Sequence, residues 1–299
     1  MGQSDMKIDS VAVIGAGTMG SGIAQVCAQT GWKTWLFDVN REGLERSCDS
    51  IDAYWRKGIE LKKNSVEDVN LWKENLEPLY SLNDLVKSID LVIEAVPENL
   101  ELKKEIFQKL DEITDKETIL ATNTSGLPIS KIANSTNYPK RVIGMHFFNP
   151  VPLMNLLELV KHPEIAQETI DFAEFAGEKM GKKTILVSDT PGFATSRLGV
   201  VLGNEAIRML GEGVASANDI DYAMRLGYNH PMGPLELSDL VGLDVRRDIL
   251  SNLENEFGDE RYSPHPLLNK LVERGETGKK VGKGIYDWSD GVKKERKDL

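Results

Sequence analysis

The sequence has little cysteine and no long hydrophobic run, and both absences narrow the class of protein. Only two cysteines, Cys27 and Cys48, occur among 299 residues, and their separation matches neither a zinc-binding nor a redox motif. Because disulfide frameworks belong mainly to small secreted proteins, we expect two free thiols in a reducing compartment. No segment approaches the roughly 20 apolar residues of a membrane-spanning helix, and no apolar signal core is present. We therefore predict a cytoplasmic protein with no membrane partner.

Positive charge is also scarce, because 36 Lys and Arg residues face 47 Asp and Glu residues. The net charge of -11 repels phosphate groups, which argues against nucleic acid as a general partner. Any anionic ligand therefore needs a local cluster of cations.

Hydrophobic residues make up 40% of the chain, enough to fill the cores of the two domains that its length favours.

The first forty residues carry the pattern of a strand, a glycine-rich turn, a helix and a second strand. Apolar runs over residues 10–14 and 34–37 predict the two strands. The three glycines of the turn have the spacing GxGxxG, which allows a tight turn, close approach of a pyrophosphate and close helix packing. The amides of this turn lie at the positive end of the helix dipole. The turn consists of Gly15, Ala16, Gly17, Thr18, Met19 and Gly20.

An acidic residue, Asp38, follows the second predicted strand. A carboxylate at this position accepts hydrogen bonds from both ribose hydroxyls of a dinucleotide. Its charge repels a 2′-phosphate, which favours NAD over NADP, although the nearby Arg41 leaves some NADP use open. A GxGxxG pattern alone is weak, because glycine-rich turns are common. Because the GxGxxG pattern occurs here in the order strand, turn, helix, strand and acidic residue, it predicts a Rossmann-type NAD site.

Further short apolar runs alternate with helical stretches through residue 188 and predict a parallel sheet. Beyond a turn-rich joint the strand pattern gives way to long helical stretches over residues 194–211, 216–226 and 234–256. We therefore predict an α/β fold with a Rossmann-type, doubly wound sheet in domain 1–188 and an all-helical domain 189–299. The additional predicted strands cover residues 90–96, 118–121, 141–147, 153–160 and 183–187.

The apolar faces of the C-terminal helices have two interpretations. They suit a homodimer interface, but the amphipathic pattern is explained about as well by the core of a monomer.

Among the four histidines, His146 is the candidate for acid–base chemistry. It ends a predicted strand, and ligand sites in such sheets gather at the carboxyl ends of the strands. Glu158 interrupts the apolar run of the next strand, where a buried carboxylate needs a partner such as an imidazole. The alternative places Glu158 on the solvent face of an edge strand. His162 and His265 precede prolines in predicted exposed loops.

Two further features point to substrate contacts, and each has a simpler alternative. Ser125 follows another predicted strand end, where its hydroxyl faces the same crevice or belongs to an ordinary polar turn. A basic cluster, Arg56, Lys57, Lys62 and Lys63, suits a phosphate-bearing substrate tail or forms a solvated helix face. No residues have the spacing of a metal site.

Taken together, the motifs resemble those of the L-3-hydroxyacyl-CoA dehydrogenase family over nearly the whole chain. The resemblance implies NAD-dependent, reversible oxidation of a 3-hydroxyacyl-CoA, the 3-hydroxybutyryl-CoA dehydrogenases being included in the family. It also implies a coenzyme A thioester as substrate. The motifs are Val13–Gly20, Glu94–Asn99, Asn123–Ser125, His146–Pro152, Asp189–Phe193 and Pro231–Pro234.

The resemblance assigns roles to individual residues of this sequence. It implies that His146 is the general acid–base with Glu158 as its partner, and that Ser125 contacts the substrate. It raises Lys57 and Lys63 above the rest of the basic cluster, as contacts of the coenzyme A moiety. The positions that it implies for cofactor contacts, beyond the glycine turn and Asp38, are Glu98, Lys103, Asn149 and Lys280.

Two positions depart from the family pattern. Ser196 stands where the family often has Asn, so a shorter donor assists the substrate carbonyl. Gly126 stands where a second Ser is frequent. These departures keep open a dehydrogenase of a free 3-hydroxy acid or sugar acid. A separate alternative is a non-catalytic NAD-binding protein that keeps the fold, against which the pair of His146 and Glu158 argues.

Overall fold

An eight-stranded sheet forms the first of two units in the chain. The computed structural model describes residues 6–299, and the first unit ends at Thr190. Its strands are β1 (Ser10–Ile14), β2 (Lys33–Phe37), β3 (Leu76–Leu79), β4 (Leu91–Glu94), β5 (Ile119–Thr122), β6 (Val142–Phe147), β7 (Leu156–Lys161) and β8 (Lys183–Ser188). They follow the order β3-β2-β1-β4-β5-β6-β7-β8. Each neighbouring pair is parallel except β6 and β7.

The direction of the strand order changes at β1, which lies between β2 and β4. In doubly wound sheets this change opens a crevice at the carboxyl ends of the strands, where ligands bind. The observed order confirms the predicted Rossmann-type sheet. The helices of the first unit are α1 (Thr18–Gln29), α2 (Arg41–Glu60), α3 (Val66–Asn75), α4 (Leu100–Ile113), α5 (Ile129–Ala133) and α6 (Gln167–Lys179).

The turn from β1 into α1 requires glycine at two positions. Gly15 has a φ of +106°, which residues with a Cβ rarely adopt. A Cβ on Gly20 would lie 1.7 Å from the carbonyl oxygen of Gly15. A Cβ on Gly17 would instead meet no protein atom within 4 Å. The turn is therefore tightly packed at Gly20 and bordered by open space at Gly17.

The pair formed by β6 and β7 differs from the parallel sheet that the sequence predicts. These strands are antiparallel, because only residues 148–155 separate them and a parallel connection needs a dozen or more. β8 pairs in parallel with β7. Both strands therefore lie at the edge of the sheet, as the sequence predicts. The antiparallel register places His146 directly opposite Glu158.

At the other edge of the sheet, β3 is a strand that the sequence analysis missed. It has four residues, includes Pro78, and pairs only with β2. Proline lacks a backbone donor, so it is tolerated on an edge strand. The short length and the proline together hide this strand from a pattern-based prediction.

The first unit ends two residues after the predicted boundary. The carboxylate of Asp189 accepts hydrogen bonds from the backbone N–H groups of Ile129 (3.0 Å) and Ser130 (2.8 Å) at the start of α5. Its own N–H donates to the carbonyl oxygen of Lys161. These bonds keep Asp189 with the sheet, and the second unit begins at Pro191.

The second unit, Pro191–Leu299, is helical, as the sequence predicts, apart from one pair of very short strands. A pair of two-residue antiparallel strands, β9 (Tyr286–Asp287) and β10 (Lys294–Glu295), lies near its end. Such strands are too short to show periodicity. No helix within residues 6–299 is long and apolar enough to cross a membrane. The helices of this unit are α7 (Thr195–Gly211), α8 (Ala217–Gly227), α9 (Pro234–Val241), α10 (Leu243–Phe257) and α11 (Pro266–Glu273).

The single helix predicted over residues 234–256 is wrong, because the chain breaks at Gly242 into α9 and α10. Gly242 has a φ of +108°, outside the helical range. The N–H of Leu243 donates to the carbonyl oxygen of Thr277 at 3.1 Å instead of continuing the helix. A contact distant in sequence therefore fixes the break.

The predicted exposure of His162 is also wrong. Its side chain is buried, with 2% of the residue exposed. Nε2 lies 3.1 Å from the carbonyl oxygen of Pro139 and 3.2 Å from that of Val142, so this nitrogen donates. His162 therefore has a structural role beside β6.

We expect Gly20→Ala to lower the free energy of unfolding by about 1–3 kcal/mol, because the new Cβ overpacks the β1–α1 contact. Urea denaturation followed by circular dichroism measures this loss. Gly17→Ala is the matched control, since its backbone has a φ of -70° and its Cβ would project into open space. Equal stability of the two variants would contradict the close approach at Gly20.

Candidate active site

A recess of about 330 Å³ opens at the carboxyl ends of the central strands of the first unit. Its walls come from the first turn of α1, the loops after β4 and β5, and the end of β6. This is the edge of the sheet where doubly wound folds bind ligands. The lining residues are Met19, Ala95, Val96, Glu98, Asn123, Ser125, His146, Phe147, Phe148 and Asn149.

His146 and Glu158 form a buried pair at this recess. Nδ1 of His146 lies 2.9 Å from Oε2 of Glu158. Glu158 is fully buried and His146 is 7% exposed, so Glu158 does not lie on a solvent face. A carboxylate only accepts hydrogen bonds, so Nδ1 donates and acid–base chemistry is left to Nε2. The ring of Phe148 packs against the imidazole, with 4.5 Å between the ring centroids.

Ser125 is held in the recess through Glu98. Oε1 of Glu98 accepts hydrogen bonds from the N–H of Ser125 (2.9 Å), from its hydroxyl (3.3 Å) and from the hydroxyl of Thr124 (2.5 Å). Glu98 follows β4 and Ser125 follows β5, so these bonds join two strand ends. The structure thus brings together Ser125, Glu98 and His146, all three of which the sequence singled out.

A buried ion pair underlies this arrangement. Nζ of Lys103 lies 2.6 Å from Oε1 of Glu94 and 3.4 Å from Oε2 of Glu98. Lys103 is 1% exposed and Glu94 is fully buried, so Lys103 lies beneath the recess. The hydroxyl of Thr122 donates to the other oxygen of Glu94 at 2.7 Å. Lys103, predicted as a cofactor-pocket residue, is therefore positioned to hold Glu98.

The chain after β6 is held by Asn123, which belongs to a motif noted in the sequence, and by Lys182, which the sequence does not point to. Oδ1 of Asn123 accepts from the N–H of Phe147 at 2.9 Å. Nζ of Lys182 donates to the carbonyl oxygens of Val151 (2.6 Å) and Met154 (2.8 Å). Burial lowers the pKa of Lys182. Asn123 was detectable as a polar residue at a strand end, but no local pattern reveals Lys182.

The carboxylate of Asp38 is oriented by the glycine turn. One oxygen accepts from the N–H of Ala16 and the other from the N–H of Asn40, both at 2.8 Å. The Arg41 guanidinium lies 4.4 Å from the ring centroid of Tyr80. A second recess of about 440 Å³ adjoins these side chains. Its lining residues are Phe37, Asp38, Val39, Arg41, Tyr80, Ser81, Leu82, Asn83 and Lys109.

Comparison with protein families assigns both units. The model of the 3-hydroxyacyl-CoA dehydrogenase NAD binding domain matches residues 10–190, and that of the C-terminal domain matches residues 192–288. The chain belongs to the 3-hydroxyacyl-CoA dehydrogenase family. The first unit is therefore the NAD-binding domain, which confirms the cofactor and the family that the sequence motifs predict.

Individual relatives cover almost the whole chain. A probable 3-hydroxybutyryl-CoA dehydrogenase of Bacillus subtilis is 43% identical over 285 residues, which span 95% of this chain and 99% of the relative. The human mitochondrial hydroxyacyl-coenzyme A dehydrogenase is 42% identical over 289 residues, covering 94% and 91%. The crystal structure of (S)-3-hydroxybutyryl-CoA dehydrogenase from Ralstonia eutropha has a TM-score of 0.91 at 38% identity, covering 94% and 99%.

The remaining residues that the family resemblance points to lie outside this recess. Lys57 and Lys63 are exposed in the region of α2, where Lys57 pairs with Glu60 at 2.8 Å. Ser196 lies in the first turn of α7, in the second unit. Lys280, also in the second unit, contacts both carboxylate oxygens of Asp244 at 2.7 and 2.6 Å. Within residues 6–299, no group of three or more potential ligands could hold a metal ion.

We expect Lys103→Met to destabilise this family member by about 3–5 kcal/mol, because it leaves Glu94 buried without its cation. The loss is measurable as a lower free energy of unfolding in urea. The double variant Glu94→Gln/Lys103→Met removes both charges and should recover most of the stability.

Lys104→Met is the control for this substitution. Lys104 pairs with the exposed Glu101 at the protein surface, and such pairs contribute about 0–1 kcal/mol. A loss for Lys103→Met no larger than that for Lys104→Met would rule out the buried pair.

Proposed function

We propose that the protein interconverts (S)-3-hydroxyacyl-CoA and 3-oxoacyl-CoA with NAD as cofactor, acting on short chains such as 3-hydroxybutyryl-CoA and acetoacetyl-CoA. The buried His146–Glu158 pair, at a recess in the NAD-binding domain, is the observation that carries this proposal. The Bacillus and Ralstonia relatives, both named for 3-hydroxybutyryl-CoA, support the short acyl chain.

His146 acts as the general acid–base in this proposal. During oxidation, Nε2 accepts the proton of the 3-hydroxyl group, and during reduction it returns that proton to the 3-oxo oxygen. Glu158 holds the ring through Nδ1 and stabilises the imidazolium ion that forms. Because both side chains are buried, this stabilisation is stronger than it would be in water.

Two serines are proposed to contact the substrate. Ser125, whose hydroxyl and N–H are held by Glu98, binds the oxygen at C3 next to His146. Ser196 assists the thioester carbonyl as a hydrogen-bond donor. The exposed cations of the α2 region, Lys57 and Lys63 in particular, bind the phosphates of coenzyme A. They supply local positive charge in a chain whose net charge is -11.

The residues of the glycine turn fit NAD. A Cβ at Gly17 would enter open space, so pyrophosphate can approach the backbone there. Each carboxylate oxygen of Asp38 accepts one backbone N–H and retains a lone pair for a ribose hydroxyl. Glu98 and Asn149 line the recess. Asn149 is proposed to lie near the nicotinamide end, and Glu98 and Lys280 are proposed as further cofactor contacts. NAD, when bound, accepts the hydride from C3 of the substrate.

We further propose that the protein is a homodimer formed through the second unit. Large apolar side chains remain exposed on its helices, with Leu198 at 71%, Leu226 at 81% and Tyr228 at 75% exposure. Because these side chains lie on the surface, they do not belong to the core of a monomer, and exposed apolar side chains of this size suit an interface. The free thiols of Cys27 and Cys48 fit the proposed cytoplasmic location.

His146→Gln should lower kcat/KM for acetoacetyl-CoA by about 10²–10⁴-fold, because it removes the acid–base. The assay follows NADH oxidation at 340 nm, with circular dichroism to verify folding. His230→Gln replaces a histidine outside the recess and should retain the activity of the unmodified protein. Full turnover by a folded His146→Gln variant would refute the proposed mechanism.

Light scattering should give a mass twice the 33.3 kDa of one chain. Leu198→Glu should shift the protein toward a monomer, because it places a charge in the proposed apolar interface. Val86→Glu, at an exposed position of the first unit, is the control. A monomeric unmodified protein would exclude the proposed dimer.

A further inference from the structure

A buried arginine without an acidic partner lies in the second unit. Arg246 is only 3% exposed. It lies in the first turn of α10, where the helix dipole is unfavourable to a cation. Its Nη1 donates to the carbonyl oxygen of Gly199 at 2.6 Å, and its Nε is buried without a hydrogen-bond partner among the described residues.

Nothing in the described chain neutralises this charge. Within residues 6–299, no Asp or Glu forms an ion pair with Arg246, and its acidic neighbour Asp244 is engaged by Lys280. Desolvation lowers the pKa of Arg246 to about 10. Burying a charge costs free energy unless the charged group is paired and hydrogen-bonded. Groups whose pKa is shifted by burial concentrate at functional sites. The guanidinium therefore has the character of a site for an anion.

The guanidinium lies in a notch that two glycines leave in α7. A Cβ on Gly203 would lie 2.6 Å from Nη1 of Arg246, so a larger residue would displace the arginine. A Cβ on Gly199 would meet no protein atom within 4 Å, so open space lies beside the Cα of the residue whose carbonyl Arg246 contacts. Both glycines follow Ser196 at helical spacings of three and seven residues, on one side of α7.

We propose that Arg246 binds a carboxylate at the far end of the acyl chain, so that the protein accepts 3-hydroxyacyl-CoA substrates with a dicarboxylic acyl group. This inference rests on the proposed function, in which Ser196 contacts the thioester carbonyl. A helix rises about 1.5 Å per residue, so the notch lies about 4–10 Å along α7 from Ser196. At about 1.5 Å per bond, an acyl chain of about six carbons spans this separation.

The chemistry of the guanidinium fits this ligand. Arginine offers five donors in a planar fork that matches a carboxylate with two parallel hydrogen bonds. One of these donors is bonded to the carbonyl oxygen of Gly199. A bound carboxylate supplies both the negative charge and the acceptors that the described chain lacks at this position.

The decisive comparison uses two six-carbon substrates that differ only at the chain end. Initial rates with NADH are measured for 3-oxoadipyl-CoA, which ends in a carboxylate, and for 3-oxohexanoyl-CoA, which ends in a methyl group. We expect kcat/KM to be at least about tenfold higher for 3-oxoadipyl-CoA in the unmodified protein. Equal values would overturn the proposal, and this comparison needs no variant.

Arg246→Met should remove the preference by lowering kcat/KM for 3-oxoadipyl-CoA alone, and Arg246→Lys should retain part of it. Arg247→Met is the matched control, because the neighbouring Arg247 pairs with Asp248 at the surface. A preference that persists in Arg246→Met would overturn the proposal. If Arg246→Met instead changes only the oligomeric mass, the carboxylate that binds Arg246 belongs to a second copy of the chain. That result would also overturn the proposal.

Acetoacetyl-CoA separates this inference from the proposed function on which it rests. Reduction of acetoacetyl-CoA without discrimination between the six-carbon substrates would reject the role of Arg246 and keep the dehydrogenase assignment. Failure to reduce any of the three thioesters would reject the dehydrogenase assignment itself.

Discussion

The hydrogen bond between His146 and Glu158 depends on the antiparallel register of β6 and β7. Side chains alternate between the two faces of a strand, so a slip of one residue would separate the pair and remove this hydrogen bond from the buried carboxylate. Hydrogen bonds from residues outside the two strands stabilise this register. Asn123 holds the backbone at the end of β6, and Lys182 holds the loop that leads into β7.

A second buried acid, Glu94, lies on β4, two strands from β6, and it also needs a partner for its charge. Glu94 ends β4 inside the protein and is compensated by Lys103, by Thr122 and by the N–H of Val96. Lys103 also lies within ion-pair distance of Glu98, the residue that accepts from Ser125. Lys103 thus offsets the free-energy cost of burying the Glu94 carboxylate and also helps to position Glu98 in the recess.

Sequence patterns predicted the parts of this structure that depend on local chain geometry. The glycine turn, Asp38 and the pairing of His146 with Glu158 follow from spacing and from the cost of burying charge. β3 was missed because its pairing with β2, rather than its own pattern, makes it a strand. The helix break at Gly242 and the burial of His162 depend on contacts with distant segments, which no local window contains.

The buried cations differ in how they are compensated, and this difference separates structural from ligand-binding roles. Lys103 has Glu94, and Arg141 has Asp111 at 2.8 Å. Lys182 has no acid in the described chain but donates to two carbonyl oxygens. Arg246 donates to one carbonyl oxygen, that of Gly199, and its Nε is buried without a partner among residues 6–299.

The Nε of Arg141 is also buried without a partner among the described residues, so Arg246 differs from Arg141 in having no acidic partner within residues 6–299. A residue that binds an anion must keep donors available for its ligand. The compensation pattern therefore supports a division of labour between the two units. In the proposed mechanism, the NAD-binding domain carries the acid–base chemistry on charges that are neutralised within the fold. In the proposal for Arg246, the counter-charge of this cation in the helical unit arrives with the substrate, which would make the acyl chain end a determinant of specificity.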